Sequence, residues 1–156
     1  MTKDKKYHKL LVTSSTFPLK AGDHTPAFVY HLADGLSAHF SEVHALAPGH
    51  AEAPKHELMN SVQVHRFDYA WPRRTQSLCY RTGMLPGLKT APFLILQLPA
   101  FFISQVIHVR KICKKLDIDI VNSHWLIPQG LAAALAWRRG RFRHVIHIHA
   151  AGLYFL

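Results

Sequence analysis

Three short stretches of the 156-residue chain hold side chains able to do chemistry: "NSHWLIPQG" at 122–130, "RHVIHIH" at 143–149 and "KAGDHTP" at 20–26. The first follows "DIDIV" at 117–121, which reads as a short buried strand, and precedes "LAAALAWRRG" at 131–140, which reads as a helix. A plain turn there would use Asn, Asp or Gly. A histidine and a tryptophan at the carboxyl end of a strand suggest the wall of a pocket.

His147 and His149 lie two apart on a strand and therefore face one side. With His124 they make three imidazoles, enough in number for a metal site. No carboxylate or cysteine accompanies them, and the 13 histidines are scattered over the whole chain, so the reading is that no metal is bound. In "KAGDHTP", Gly22 permits close backbone approach, and a helix beginning at Pro26 would offer free amides and the positive end of its dipole to an anion. An ordinary strand-to-helix turn is the simpler account of the same residues. The dinucleotide fingerprint, the P-loop and the nucleophile elbow are all absent. Acids are so few after Asp68 that a carboxylate pair for glycoside hydrolysis is not expected there.

The elements that must position these residues alternate. The apolar run at 8–15 reads as a central parallel strand. A helix is expected over about 26–40, capped by Thr25, with Phe28, Leu32, Leu36 and Phe40 recurring on one face and Val29 and Ala33 beside them. Strands follow at 42–48 and 61–67, then an irregular stretch at 68–89. Next come a long helix with a break near Pro99 and a basic last turn, a strand at 119–123, a helix beginning at Pro128 and closed by Arg138, Arg139 and Gly140, and a strand at 143–149. The pattern is an α/β, Rossmann-like doubly wound parallel sheet of order 3-2-1-4-5, with the last strand at an edge. Ligands of such sheets lie beyond the carboxyl ends of the strands, where all three stretches converge.

Composition narrows the classes. Hydrophobic residues at 49% against 18% charged exclude a disordered chain. Two cysteines, Cys79 and Cys113, are too few for a disulfide framework and read as buried thiols in a reducing compartment. The start of the chain lacks the apolar segment of a secretory signal. The apolar run at 91–109 contains Pro92, Gln97, Pro99, Ser104 and Gln105 and reads as a buried or interfacial helix, not a span. Residues 1–68 hold seven basic and seven acidic residues, whereas residues 69–156 hold twelve basic residues and only Asp117 and Asp119, so the second half carries the net charge of +10. Such a surface attracts anions: a membrane face, a phosphorylated ligand or nucleic acid. Arg73, Arg74, Arg81 and Lys89 flank Trp71, Tyr80, Met84 and Leu85 just before the apolar helix, as an interfacial membrane contact would. The same apolar groups can instead pack into the core and leave the arginines solvated.

In order, "LLVTSSTFPLKAGDHTPAFVYHLADGLS", "EVHALAPGH", "VQVHRFDYAWPRRTQSLCY", "DIDIVNSHWLIPQGLAAAL" and "HVIHIHAAGLY" resemble the N-terminal domain of family 4 glycosyltransferases. The resemblance implies the GT-B architecture, two Rossmann-like domains facing across a cleft, with residues 8–156 as part of the N-terminal, acceptor-side domain. It implies retaining transfer of a sugar from a nucleotide-sugar donor to a glycan or lipid-linked acceptor, without a metal or other cofactor. By the resemblance, Ala21, Gly22 and Asp23 approach the donor diphosphate, and His149 reaches the transferred sugar as the catalytic residue. His124, Trp125, Pro128 and Gly130 line the acceptor side of the cleft. Trp71, Arg73, Arg74 and Arg81 would face an anionic membrane, giving a cytoplasmic protein peripheral on the inner membrane face; no nucleic acid is expected as a partner. Where the family commonly has His-Gly-Gly-Asp, this chain has His149-Ala150-Ala151-Gly152, without the acid. The C-terminal nucleotide-sugar domain lies outside these residues, so the chain alone is expected to be inactive. The alternative is a non-catalytic fragment that at most binds anionic surfaces; a nicotinamide oxidoreductase ranks third because its phosphate fingerprint is missing.

Overall fold

The structure, a computed structural model, describes residues 8–20, 22–23, 27–80, 84–137 and 141–149. Strand β1 (Lys9–Thr13) buries Leu10, Leu11 and Val12, as a strand covered on both faces requires. Helix α1 (Phe28–Leu36) and strand β2 (Glu42–Pro48) follow. Strands β3 (His56–Met59) and β4 (Val62–Phe67) form a hairpin across Asn60 and Ser61, with Asn60 at φ 49°. A tight turn at Arg73–Thr75 and a short helix α2 (Met84–Thr90) lead to a 3-10 stretch, Pro92–Gln97, that runs into α3 (Leu98–Leu116). Strand β5 (Ile120–His124), a wide turn at Leu126–Gly130, helix α4 (Leu131–Ala136) and strand β6 (Arg143–His147) complete the described elements.

The six strands form one sheet in the order β3-β4-β2-β1-β5-β6. All neighbours are parallel except β3, which joins β4 antiparallel. The fold is therefore α/β and Rossmann-like. The five strands read from the sequence stand in the expected order, with β6 at an edge; β3 is an addition at the opposite edge. Val43, Ala45, Val62 and Val64 face the α1 layer, where they meet Val29, Tyr30 and Ala33. Leu11, Leu46, Phe67 and Val121 face the α3 and α4 layer, against Phe101, Val109, Ala132 and Ala136. Burying a side chain such as Phe101 contributes roughly 2–3 kcal/mol.

Four local expectations need correction. The buried face of α1 runs through Val29, Tyr30 and Ala33, while Phe28 and Leu32 are exposed. Val29 and Ala33 are buried as expected and Leu36 and Phe40 pack on the same cluster, so only the first two members of the repeat stand out, Phe28 because it is turned to the site described below. The break near Pro99 is a change from the 3-10 stretch to α3 at Leu98, not an interruption within α3, and Pro99 lies in the first turn of α3, where no amide donor is needed. The helix expected to begin at Pro128 starts at Leu131, and Pro128 lies in the preceding turn after a cis peptide bond. The stretch at 68–89, read as irregular, contains α2 despite Pro86 and Gly87. Thr25, Pro26, Arg138, Arg139 and Gly140, expected to bound two helices, lie outside the described residues.

Candidate functional site

The parallel register of β5 and β6 sets His124 opposite His147 at the carboxyl end of the sheet, on the α1 side. Beneath them the strands are tied together on the other face. The Thr13 hydroxyl donates to Ser123 Oγ at 3.1 Å, and Ser123 Oγ lies 3.0 Å from His144 Nε2. The backbone N–H of Trp125 donates to the His147 carbonyl at 2.9 Å, holding the turn against β6. Trp125 adopts φ 84°, a left-handed conformation that costs a bulky residue on the order of 1–3 kcal/mol. Such a conformation persists only where the surroundings over-determine it, and it aims the indole at His149, with ring centroids 4.7 Å apart. Phe28, at the start of α1, also meets His149, edge-on with ring centroids 4.8 Å apart.

His124 is fully buried, and its Nδ1 lies 3.0 Å from Nε2 of His149; the two rings stack with an interplanar angle of 14°. Burial, then the neighbouring His147 and His149, pushes the His124 pKa down to about 4. Burial, then His147, also lowers that of His149. Both rings are neutral at pH 7, so the short contact shares one proton. If His149 donated it, His124 would keep a buried N–H at Nε2, and that atom has no hydrogen-bond partner among the described residues. A bare buried N–H is rarer than a bare acceptor. His124 Nδ1–H therefore donates to His149 Nε2, which leaves Nδ1–H of His149 as a donor. The two rings use facing nitrogens on each other, and among the described residues no group of three His, Cys, Asp or Glu is arranged to hold a metal ion. Asn122 Oδ1 and both amide atoms of the buried Gln129 also lack partners among the described residues, so polar capacity gathers at this end of β5.

Gly130 closes the turn, donating its N–H to the Trp125 carbonyl at 3.1 Å. A Cβ there would stand 3.2 Å from Ile146 Cδ1 and 3.3 Å from that carbonyl, so glycine lets β6 pack against the turn. In the loop that follows β1, Gly22 adopts φ 79°, and no atom lies within 4 Å of a would-be Cβ there. Asp23 is turned back on its own loop, accepting from the Leu19 N–H at 3.1 Å and donating its N–H to the Lys20 carbonyl at 3.2 Å.

Residues 26–155 match the glycosyl transferase 4-like domain. The chain belongs to that family. A comparison with curated proteins returned no significant match. The family match begins beyond Gly22 and Asp23 and includes the whole His124, Trp125 and His149 cluster.

Around this glycosyl transferase 4-like domain's cluster, the other expected site residues fall into different settings. Ala21 and Arg81 lie outside the described residues, as do Ala150, Ala151 and Gly152. Pro128 and Gly130 belong to the turn that carries Trp125. Trp71 is 90% exposed and Arg74 is exposed. Arg73 is turned inward: its Nε donates to Asp68 Oδ1 at 2.8 Å. Asp68 also takes Lys55 at 2.7 Å and the Gln76 amide at 3.0 Å, and these partners hold its carboxyl below the ordinary value against the effect of burial.

The residue that the sequence reading missed is Arg66. Its fully buried guanidinium binds Glu57 at 2.7 Å, the Tyr80 hydroxyl at 3.2 Å and the Pro18 carbonyl at 2.7 Å. Tyr80 donates in turn to the Pro48 carbonyl at 2.8 Å. Arg66 thus fixes the loop that leads from β1 to Gly22. The available signal was its place in "VQVHRF", on the same side of the strand as Val62 and Val64, where a charge needs dedicated partners.

Proposed function

We propose that this domain is the acceptor-side half of a retaining GT-B glycosyltransferase, exchanging the anomeric bond of a nucleotide sugar for one to a glycan or lipid-linked acceptor. The observation that carries this reading is the neutral His124–His149 pair, framed by Trp125 and Phe28 at the carboxyl ends of β5 and β6, in a chain of the glycosyl transferase 4-like family. In this reading the Nδ1–H of His149 donates to a hydroxyl of the transferred sugar, and the indole of Trp125 offers an apolar face to a sugar ring. Gly22, bare of a side chain, lets the donor diphosphate approach its backbone. A second domain, outside these residues, holds the nucleotide, and no metal takes part. Preorganised donors of this kind contribute 10²–10³-fold to the rate.

Nucleotide release from a panel of nucleotide sugars and acceptors tests the reading. The chain alone should show no turnover above the blank, because in this reading half of the preorganised site belongs to the second domain. Joined to a nucleotide-sugar-binding domain of the same family it should turn over, and His149→Ala should then lower kcat by roughly 10²-fold with little change in stability. Turnover by the chain alone, or a His149→Ala variant as active as its parent, would sink the proposal.

A membrane contact on the cytoplasmic face is the second part of the proposal, supported by exposed apolar groups. Trp71, Phe93 and Leu96 are 90, 67 and 80% exposed, and Ile95, Ile103 and Ile107 are exposed beside them. The helical stretch Pro92–Leu116 is long and apolar enough to cross a membrane by length and composition, yet only 22% of its most apolar window is buried. It packs on the sheet through Phe101, Val106, Val109 and Cys113, which suits a helix lying on a surface. Because Arg73 is committed to Asp68, apolar insertion contributes more than charge. Vesicle sedimentation should lose most of its bound fraction in a Trp71→Ser, Leu96→Asp variant and little in Arg73→Gln; the reverse ranking refutes this face.

A further inference from the structure

The carboxyl ends of α3 and α4 and the approach to β6 meet at the end of the sheet opposite His124 and His149. There they border a half-open cleft of about 760 Å³, lined among the described residues by Trp137, Phe142 and the exposed Arg110, Lys114 and Arg141 over Cys113. That volume is typical of small-molecule sites, roughly 300–1,000 Å³. Two of its walls are fixed by hydrogen bonds. Trp137 is about half exposed, yet its Nε1–H donates to the Phe142 carbonyl at 3.0 Å, which holds the indole as a flat side. Arg110 Nη2 donates to the Leu135 carbonyl at 2.6 Å, which ties α3 to α4.

Among the described residues, the charges lining this cleft are of one sign. Lys114 and Arg141 make no ion pair among the described residues. Cys113 supplies no negative charge, since burial pushes its thiol up to about 12. Asp119 borders a smaller neighbouring cavity that Arg141 and Phe142 also line; it accepts the Lys9 backbone N–H at 2.9 Å, lies 3.6 Å from His8 and makes no ion pair with Arg141. Arg110 and Lys114 stand one helical turn apart, a like-charge spacing that is unfavourable unless an anion lies between them. The negative end of the α3 dipole accounts for Lys114 in the last turn. It accounts neither for Arg141, which is on no helix, nor for a half-exposed tryptophan fixed beside three cations.

We propose that this cleft binds a phosphorylated small molecule bearing a planar ring, with Arg110, Lys114 and Arg141 on the phosphate and Trp137 under the ring. The site is separate from the His149 cluster and stands whether or not the transferase reading does.

Isothermal titration of the full chain with adenosine 5′-monophosphate, inorganic phosphate and adenosine, in low and high salt, tests it. The nucleotide should bind saturably, with phosphate and adenosine each at least tenfold weaker, and salt should weaken it. A Lys114→Gln, Arg141→Gln variant should lose at least tenfold with an unchanged far-UV circular dichroism spectrum. Trp137→Leu should bring the nucleotide down to the affinity of phosphate, and His149→Ala should leave it unaltered. No saturable nucleotide binding by a folded sample, or binding that survives Lys114→Gln, Arg141→Gln, overturns the proposal. Binding lost in His149→Ala alone overturns it too, by placing the nucleotide at the other end. Capture by phosphatidic acid vesicles alone, with none of the nucleotide, rules out the planar ring and with it the proposal.

Discussion

Two groups of three histidines lie on opposite faces of the same sheet, and they are built to opposite ends. On the α3 face, His44 Nε2 lies 3.1 Å from Glu42, His44 Nδ1 lies 3.2 Å from His65 Nε2, and His65 Nδ1 lies 3.1 Å from His56 Nδ1. The carboxylate can only accept, so every proton along this chain is directed: His44 donates to Glu42, His65 to His44, and His56 to His65. A hydrogen bond from Lys9 holds the Glu42 carboxyl below its ordinary value, so the anchor is ionised. On the α1 face, His124 and His149 have no carboxylate. Their direction is set only by the cost of a bare N–H, and the series ends in a donor with no protein partner among the described residues. Residue type and burial do not distinguish the two groups; what terminates the hydrogen-bond chain does.

Acid is the largest lever on this comparison. Burial pushes His65 and His124 each down to about 4; neighbouring His44, His56 and Lys115 add to the effect at His65. The unfolded chain, with histidines near 6.5, then binds more protons than the folded one. Stability should be whole above about pH 6.5 and fall as pH drops through 4, by on the order of 3 kcal/mol for His124 and less for the partly exposed His65. Denaturant melts between pH 7 and 4 measure it. Replacing His124 by Gln should remove more of the pH dependence than replacing His65. Equal slopes in both variants would mean that the two groups are not different in kind.

Substituting leucine in each group gives a smaller and sharper contrast. His44→Leu removes two hydrogen bonds from a fully buried ring, leaving Glu42 to Lys9 alone and the His65 Nε2–H without its acceptor, so it should cost about 2 kcal/mol. His124→Leu removes one bond and also a buried nitrogen with no partner, so its stability should change by less than about 1 kcal/mol in either direction. On the proposed reading, transfer by this domain joined to a nucleotide-sugar-binding domain should be lost with it. Urea midpoints at pH 7.5 decide; a His124→Leu variant as unstable as His44→Leu would make both groups structural.

The legibility of these features in the sequence divides along the same line. Strand order, the sheet's carboxyl end and the meeting of His124 with Trp125 and His149 follow from alternation and chain direction, which short-range patterns encode. The α3-face group was not legible, because it joins β2, β4 and β3 through register, and β3 was not read. "HELM" is short and charged, and only the turn residues Asn60 and Ser61 announced its hairpin. Arg66 was missed for a related reason: its partners Glu57, Tyr80 and Pro18 lie 9, 14 and 48 residues away, in segments where no strand or helix was read. Arg73 shows the converse failure, since a basic residue beside an exposed tryptophan looked like a surface charge until Asp68 was found beneath it.

The smallest effect concerns Gly130 and asks whether the α1-face cluster depends on its turn. A methyl group added there meets two neighbours of different stiffness. Ile146 Cδ1, at 3.2 Å, is the end of a flexible side chain on an edge strand and can give way at little cost. The Trp125 carbonyl, at 3.3 Å, is backbone, and it accepts the Gly130 N–H that holds the turn. It cannot retreat without moving the residue whose left-handed φ aims the indole at His149. Gly130→Ala should therefore cost only about 1 kcal/mol, since the overlap is a few tenths of an ångström and Ala is otherwise at home in the helical backbone at this position. The indole should move more than the stability does, so the emission maximum of Trp125, isolated by replacing Trp71 and Trp137 with Phe, should shift. An unchanged spectrum together with the 1 kcal/mol loss would show that the strain is absorbed by Ile146 alone, and that the cluster's geometry is set by the β5–β6 register instead of by its turn.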